Sequence, residues 1–255
     1  MTSVVAETDA LADVCVGLDT GASIALLGAN DSGKTTFLDL LLGFRRTTGG
    51  RIGWIGPEGN RASSPRTSAA FQSVMRYEAP LADNVAFGDW SGVADPTPSR
   101  HDAAAVSRVL DEVGCASLPL DLPEGFMTLV GSRWPDSRGL SGGQWQPVAI
   151  ARCLYASYRG AASSPQLRVL DEASSALDAQ AEADLRAVLL GAALPEDGLT
   201  IFVTHRFPII RVADVILVFE NGRLVEQGEH RQLLALDGVY TALFAAQARG
   251  YGGDD

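Results

Sequence analysis

Between a short apolar run, Ser23 to Leu27, and a run with helical spacing that begins at Lys34, the chain reads Gly28-Ala29-Asn30-Asp31-Ser32-Gly33-Lys34-Thr35-Thr36. A glycine, four residues and then Gly-Lys-Ser/Thr, set between a strand and a helix, is the spacing that turns backbone N–H groups inward around a phosphate. The helix N-terminus adds its positive end, Lys34 can reach the outer phosphates, and the Thr35 hydroxyl suits a Mg²⁺ ion. Gly28, Asn30, Ser32, Gly33, Lys34, Thr35 and Thr36 are therefore candidate contacts to a nucleotide polyphosphate. A chance glycine-rich turn would share the composition but not the flanking strand and helix.

Three further groups bear chemistry. Leu140-Ser141-Gly142-Gly143-Gln144 continues as Trp145-Gln146 and Val148-Ala149-Ile150-Ala151-Arg152. Ser141 has the chemistry of a helix cap, and Gly142 and Gly143 leave the first N–H groups open to an anion; an ordinary capped helix is the plainer reading. Leu167-Arg168-Val169-Leu170-Asp171-Glu172 is an apolar strand ending in two acids. Neighbouring side chains on a strand point to opposite sides, but where the chain turns the two acids can take different tasks. A solvated strand end is the bland alternative. His205 follows the apolar run Ile201 to Thr204, and its near-neutral pKa would let it donate to a phosphate, although a lone histidine is more often structural.

In this order the motifs resemble those of ABC transporter ATP-binding domains, from about Leu11 to about Gln247. Leu140-Ser141-Gly142-Gly143-Gln144 matches the family signature. Phe71-Gln72 with Tyr77-Glu78, Asp83-Asn84-Val85-Ala86-Phe87-Gly88, and Gly222-Arg223-Leu224-Val225-Glu226-Gln227-Gly228-Glu229-His230 are similar to bacterial exporters. The resemblance implies ATP and Mg²⁺ as ligands. Asp171 would hold Mg²⁺ through water, Glu172 would orient and polarise the attacking water, His205 would touch the γ-phosphate, and Gln72 would meet Mg²⁺ and link the core to a helical subdomain. Ser174-Ser175-Ala176-Leu177-Asp178 would contact a second domain across a head-to-tail dimer, homo- or heteromeric, in which Lys34 of one copy and Ser141 of the other hold the same ATP. The remaining partner is a transmembrane domain, on a preceding segment or a separate chain, which places the domain at the cytoplasmic face of the membrane.

The elements that must position these residues are legible as alternating periodicities. Strands are expected at Ser23 to Leu27, Gly50 to Gly56, Leu167 to Leu170, Leu199 to Thr204 and Val215 to Phe219. Helices are expected at Lys34 to Leu42, Asp102 to Val113, Ser141 to Tyr158 and around Ala179 to Leu190, with Pro57 to Ser68 a polar loop. Asn221-Gly222 marks a hairpin, and two short helices follow it. This predicts an α/β fold, a P-loop NTPase (RecA-like) core with a mixed sheet flanked by helices, residues 1–72 and 159–255, around an inserted helical signature subdomain, 73–158.

Composition bounds the alternatives. A chain of 255 residues with 46% hydrophobic content supplies a sizeable core, and a net charge of -11 argues against an electrostatic grip on nucleic acid. With the single motif set and no coiled-coil insertion, it also argues against a soluble ABC ATPase of DNA repair or translation. The three cysteines, Cys15, Cys115 and Cys153, lie far apart and read as reduced, mostly core residues of a cytosolic protein. No apolar run reaches the roughly 18–20 residues that span a bilayer, so the chain itself is expected to be soluble.

Departures from the family pattern favour one competing reading, a degenerate ATP-binding module that regulates a partner without turnover. The adenine-stacking aromatic would fall at Thr2 to Val5, where there is none, as though the chain began inside a missing strand. Asp31 stands where relatives carry glycine or a small neutral residue. At roughly 7 Å its repulsion of a phosphate charge is about 0.6 kcal/mol in water and about 2.4 kcal/mol at an effective dielectric of 20, so Asp31→Gly is expected to tighten ATP. Pro147 stands where the family has arginine, and restoring arginine is expected to raise the melting temperature of a bent or weakened helix.

Overall fold

The computed structural model of the chain describes residues 10–55, 61–89, 102–160, 164–172, 183 and 198–251. The strands are β1 (Ser23–Leu27), β2 (Trp54–Ile55), β3 (Arg61–Ala62), β4 (Thr67–Ala70), β5 (Ala79–Pro80), β6 (Leu129–Val130), β7 (Leu167–Asp171), β8 (Leu199–Val203), β9 (Val215–Glu220) and β10 (Arg223–Gly228). The helices are α1 (Lys34–Leu41), α2 (Leu81–Ala86), α3 (Ala103–Glu112), α4 (Gly142–Tyr155), α5 (Phe207–Ile210), α6 (His230–Leu236) and α7 (Val239–Tyr251). Two compact units emerge, one of Met1–Leu18, Ile24–Ser64 and His205–Asp255, the other of Asp19–Ser23 and Pro65–Thr204.

In the first unit β1 pairs in parallel with β9, and β9 pairs antiparallel with β10, a mixed arrangement. Every residue of β1 is buried, as an apolar strand covered on both faces requires. Phe37 of α1 meets Phe219 of β9 with ring centroids 5.1 Å apart, which seats the helix on the sheet. Asn221 and Gly222 join β9 to β10 with φ of 49° and 76°, the left-handed pair that a two-residue hairpin demands. Gly43, φ 76°, ends α1 as a left-handed glycine.

In the second unit β4, β7 and β8 are parallel, with Ala70 opposite Leu170 and Asp171 opposite Val203. α2 and α3 pack against α4, and Asp102 caps α3 by accepting from the N–H groups of Ala104 and Ala105 at 3.1 Å. Each fully buried Val, Leu or Ile here contributes about 1.5–3 kcal/mol.

Several expectations change. Among the described residues the strand expected over Gly50 to Gly56 covers only Trp54–Ile55, and the expected polar loop from Pro57 to Ser68 contains β3 and the start of β4. Thr-Ser-Ala-Ala carries no apolar alternation; pairing with the buried strand β7 makes it a strand. The helix expected over Ser141 to Tyr158 stops at Tyr155 and continues as a 3₁₀ turn, Ala156–Arg159. Of the cysteines only Cys153 is buried, and Cys15 is exposed. The helix around Ala179 to Leu190 lies outside the described residues apart from Ala183, and Thr2 to Val5 lies outside them entirely. Among the described residues no helix is long and apolar enough to cross a membrane.

α4 runs without a break through Pro147, which lies in its second turn. Proline has no N–H for the Gly143 carbonyl, but Gly143 is exposed, so water can serve that oxygen. Pro147 is itself buried, so arginine there would bury a guanidinium and the expected gain from Pro147→Arg no longer follows. Alanine isolates the proline. Its higher helix propensity, about 3 kcal/mol in an interior, outweighs the packing that the ring provides, and Pro147→Ala should raise the melting temperature by a few degrees in a thermal melt.

Candidate functional site

The phosphate-type loop lies between β1 and α1 in the first unit, and its two outer glycines are fixed by close packing. A Cβ on Gly28, φ 150°, would lie 2.2 Å from the Phe219 carbonyl oxygen and 2.6 Å from Ser32 Oγ. One on Gly33, φ 106°, would lie 2.7 Å from Leu11 and 3.3 Å from Gly222 Cα. The β9–β10 hairpin thus presses on the loop, and the Gly222 N–H donates to the Ser32 carbonyl at 3.0 Å. Lys34 is 8% exposed, and its Nζ donates to the carbonyls of Gly28 and Ala29 at 2.8 Å. Its charge is thereby centred inside the loop, where a phosphate oxygen would meet it. Ser32 is buried, whereas Asn30, Asp31 and Thr35 are exposed.

A cavity of about 490 Å³ opens beside this loop, and Gly28, Ala29, Asn30 and His205 are among the residues that line it. The structure therefore brings His205 to a cavity that the loop also lines.

In the second unit Gln72 lies just past β4 and Asp171 and Glu172 end β7, so the three occupy the ends of adjacent parallel strands. Asp171 is still in the ladder. Glu172 is not: its φ is 49°, a left-handed conformation rare for a residue with a side chain, and its N–H donates to the Val203 carbonyl at 2.9 Å. That turn takes Glu172 out of the strand alternation. A backbone outlier of this kind costs about 1–3 kcal/mol and persists where the surroundings hold it.

Ser141 caps α4 in a reciprocal box: its Oγ accepts from the Gln144 N–H at 3.2 Å, and Gln144 Oε1 accepts from the Ser141 N–H at 2.9 Å. The Gln144 amide oxygen is thus occupied in the cap. Ser141, Gly142 and Gly143 are exposed, and a Cβ on Gly142 would meet nothing within 4 Å, so this helix start is open to an anion.

The model of the ABC transporter family matches residues 11–175. The chain belongs to the ABC transporter family. It is 37% identical over 231 residues to an ATP-dependent lipid A-core flippase of Paraburkholderia xenovorans, covering 89% of this chain and 35% of the flippase. It is 36% identical over 246 residues to a sophorolipid transporter of Starmerella bombicola, covering 94% of this chain and 18% of that transporter. The structure of a bacterial Atm1-family ABC exporter with ATP bound matches with a TM-score of 0.75 at 30% identity, over 94% of this chain and 39% of the exporter. The chain thus spans well under half the length of these relatives.

Within this ABC domain Asp178 and the stretch from Ser174 lie outside the described residues. Two features lie beyond the roles read from the sequence. The first is a set of bonds made by Arg152 of α4, which donates to the Asn84 carbonyl at 2.7 Å, to Asn84 Oδ1 at 3.1 Å and to the Met75 carbonyl at 3.1 Å, and lies 4.6 Å from the centre of the Tyr77 ring. Burial lowers its pKa, and Tyr77 opposes that shift. Asn84, fully buried, donates in turn to the carbonyls of Tyr77 and Ala79 at 3.0 and 3.1 Å. The segment after Gln72 is therefore fastened to the helix that Ser141 begins. The second feature is the wall of the cavity formed by α7.

The left-handed φ of Asp31, 61°, matters for testing its charge. Asp31→Gly would also relax the backbone, whereas asparagine tolerates the same conformation. Because Asp31 is exposed, water screens it, and Asp31→Asn should tighten ATP by about threefold in a binding titration.

Proposed function

We propose that the chain is the ATP-binding and ATP-hydrolysing domain of an ABC exporter, coupling closure of a nucleotide-dependent dimer to transport across a membrane. The observation that carries this is the buried Lys34 ammonium held inside a glycine-fixed loop, with His205 lining the adjoining cavity. Backbone N–H groups of the loop, Lys34 and Thr36 bind the polyphosphate. Thr35, Gln72 and Asp171 offer the oxygen ligands that Mg²⁺ prefers; when bound, the ion neutralises charge on the β- and γ-phosphates. Glu172 accepts the proton of the attacking water, and His205 holds the γ-phosphate. Ser141, Gly142, Gly143, Gln144 and Asp178 act across the dimer on the partner's nucleotide.

The flippase and exporter likenesses support export as the direction, a transmembrane domain as partner and the cytoplasmic face of the membrane as location. The helical stretch 73–158 is proposed as the signature subdomain, with 1–72 and 159–255 as the ATP core. A binding-only module loses two of its sequence grounds, because Asp31 is exposed and α4 continues through Pro147. Phosphate release from ATP and Mg²⁺, and its loss in Glu172→Gln, tests the reading; binding without release would favour the binding-only module.

A further inference from the structure

The cavity beside the phosphate loop has a wall that no motif accounts for. Leu243, Ala246 and Gln247 of α7 line it together with Gly28, Asn30 and His205. Their spacing of three and four residues puts them on one helix face. This wall is anchored. Glu226 of β10 accepts from the first N–H groups of α7, those of Val239 and, at 2.9 Å, Tyr240, where a carboxylate also meets the positive helix end. The fully buried Tyr240 hydrogen-bonds through its hydroxyl to His230 Nδ1 at 2.6 Å. Phe244 meets Phe207 edge to face, centroids 4.9 Å apart, and Phe207 itself lines the cavity two residues after His205.

We propose that α7 is part of the nucleotide site and that the Gln247 amide donates a hydrogen bond to the terminal phosphate of a bound nucleoside triphosphate. The proposal rests on the nucleotide reading above. Among the described residues the α7 wall is otherwise apolar, Leu243 and Ala246, and Gln247 is the polar side chain that lines the cavity with them. The Gln247 amide N–H can donate to an anion held in this cavity. His205, read above as the γ-phosphate contact, lines the same cavity, so the proposed contact is to the phosphate that a diphosphate lacks. Gln247 is therefore a specificity-determining residue that separates triphosphate from diphosphate.

Equilibrium titration of the 255-residue chain with ATP and with ADP, each with Mg²⁺, tests this. Gln247→Ala should weaken ATP by about tenfold or more and leave ADP unchanged, the loss expected for one hydrogen bond to a charged group. Gln247→Glu, equal in size but negative, should weaken ATP further. Gln247 is half-buried, so both variants should melt as the unaltered chain does. Unchanged ATP affinity in both variants, or an equal loss for ADP, overturns the α7 contact and leaves the nucleotide reading standing. Failure of the unaltered chain to bind ATP overturns both.

Discussion

Glu172→Gln should leave ATP affinity within about twofold and lower phosphate release by about 10²–10⁴-fold, the usual worth of a positioned general base. Glutamine has the same shape, so the left-handed turn at φ 49° and the N–H bond to the Val203 carbonyl survive. What disappears is the carboxylate's capacity to take a proton. Because binding and chemistry are then separated, ATP should hold two chains together, and size-exclusion chromatography with ATP and Mg²⁺ should show the mass of a dimer. Lost binding would mean that the substitution disturbed the end of β7. Retained turnover would move the base to another residue.

The parts of the fold that sequence made legible are those where local chemistry and tertiary role agree. Ile24–Leu27 is apolar and, with Ser23, buried throughout; Asn221-Gly222 turns because both residues accept positive φ. β4 was not legible, because Thr67–Ala70 is small and polar and becomes a strand only against β7, a partner far along the chain. The candidate site divides in the same way. The loop from Gly28 to Thr36 and the box at Ser141 announce themselves by spacing, since neighbouring backbone N–H groups make up the proposed anion sites. The bonds from Arg152 to Asn84 and Met75 span long separations, so the arginine could be seen but not its partners. For α7 even the residue types are silent: Leu243 and Ala246 are ordinary helix residues, and only docking through Glu226 and Tyr240 places them beside the loop.

Lys34→Met should produce the largest loss of binding, with ATP and ADP both weakened by about 10²–10⁴-fold. Methionine keeps most of the stem and removes the ammonium, so it deletes charge-assisted hydrogen bonds to the phosphates; two such bonds at about 1.5–3 kcal/mol each give that range. The same ammonium holds the Gly28 and Ala29 carbonyls at 2.8 Å, and Gly28 is buried. A buried acceptor left without its donor costs about 1–3 kcal/mol, so the nucleotide-free variant should also melt a few degrees lower. The two effects separate by mass action. In the unaltered chain, ATP at about 100 times its Kd stabilises by about 2.7 kcal/mol, and the melting temperature climbs with ATP concentration. In Lys34→Met the melting temperature should start lower and stay level over the same concentrations. A variant that starts lower but still climbs in parallel would assign Lys34 to the loop's structure alone and require other groups to bind the phosphates.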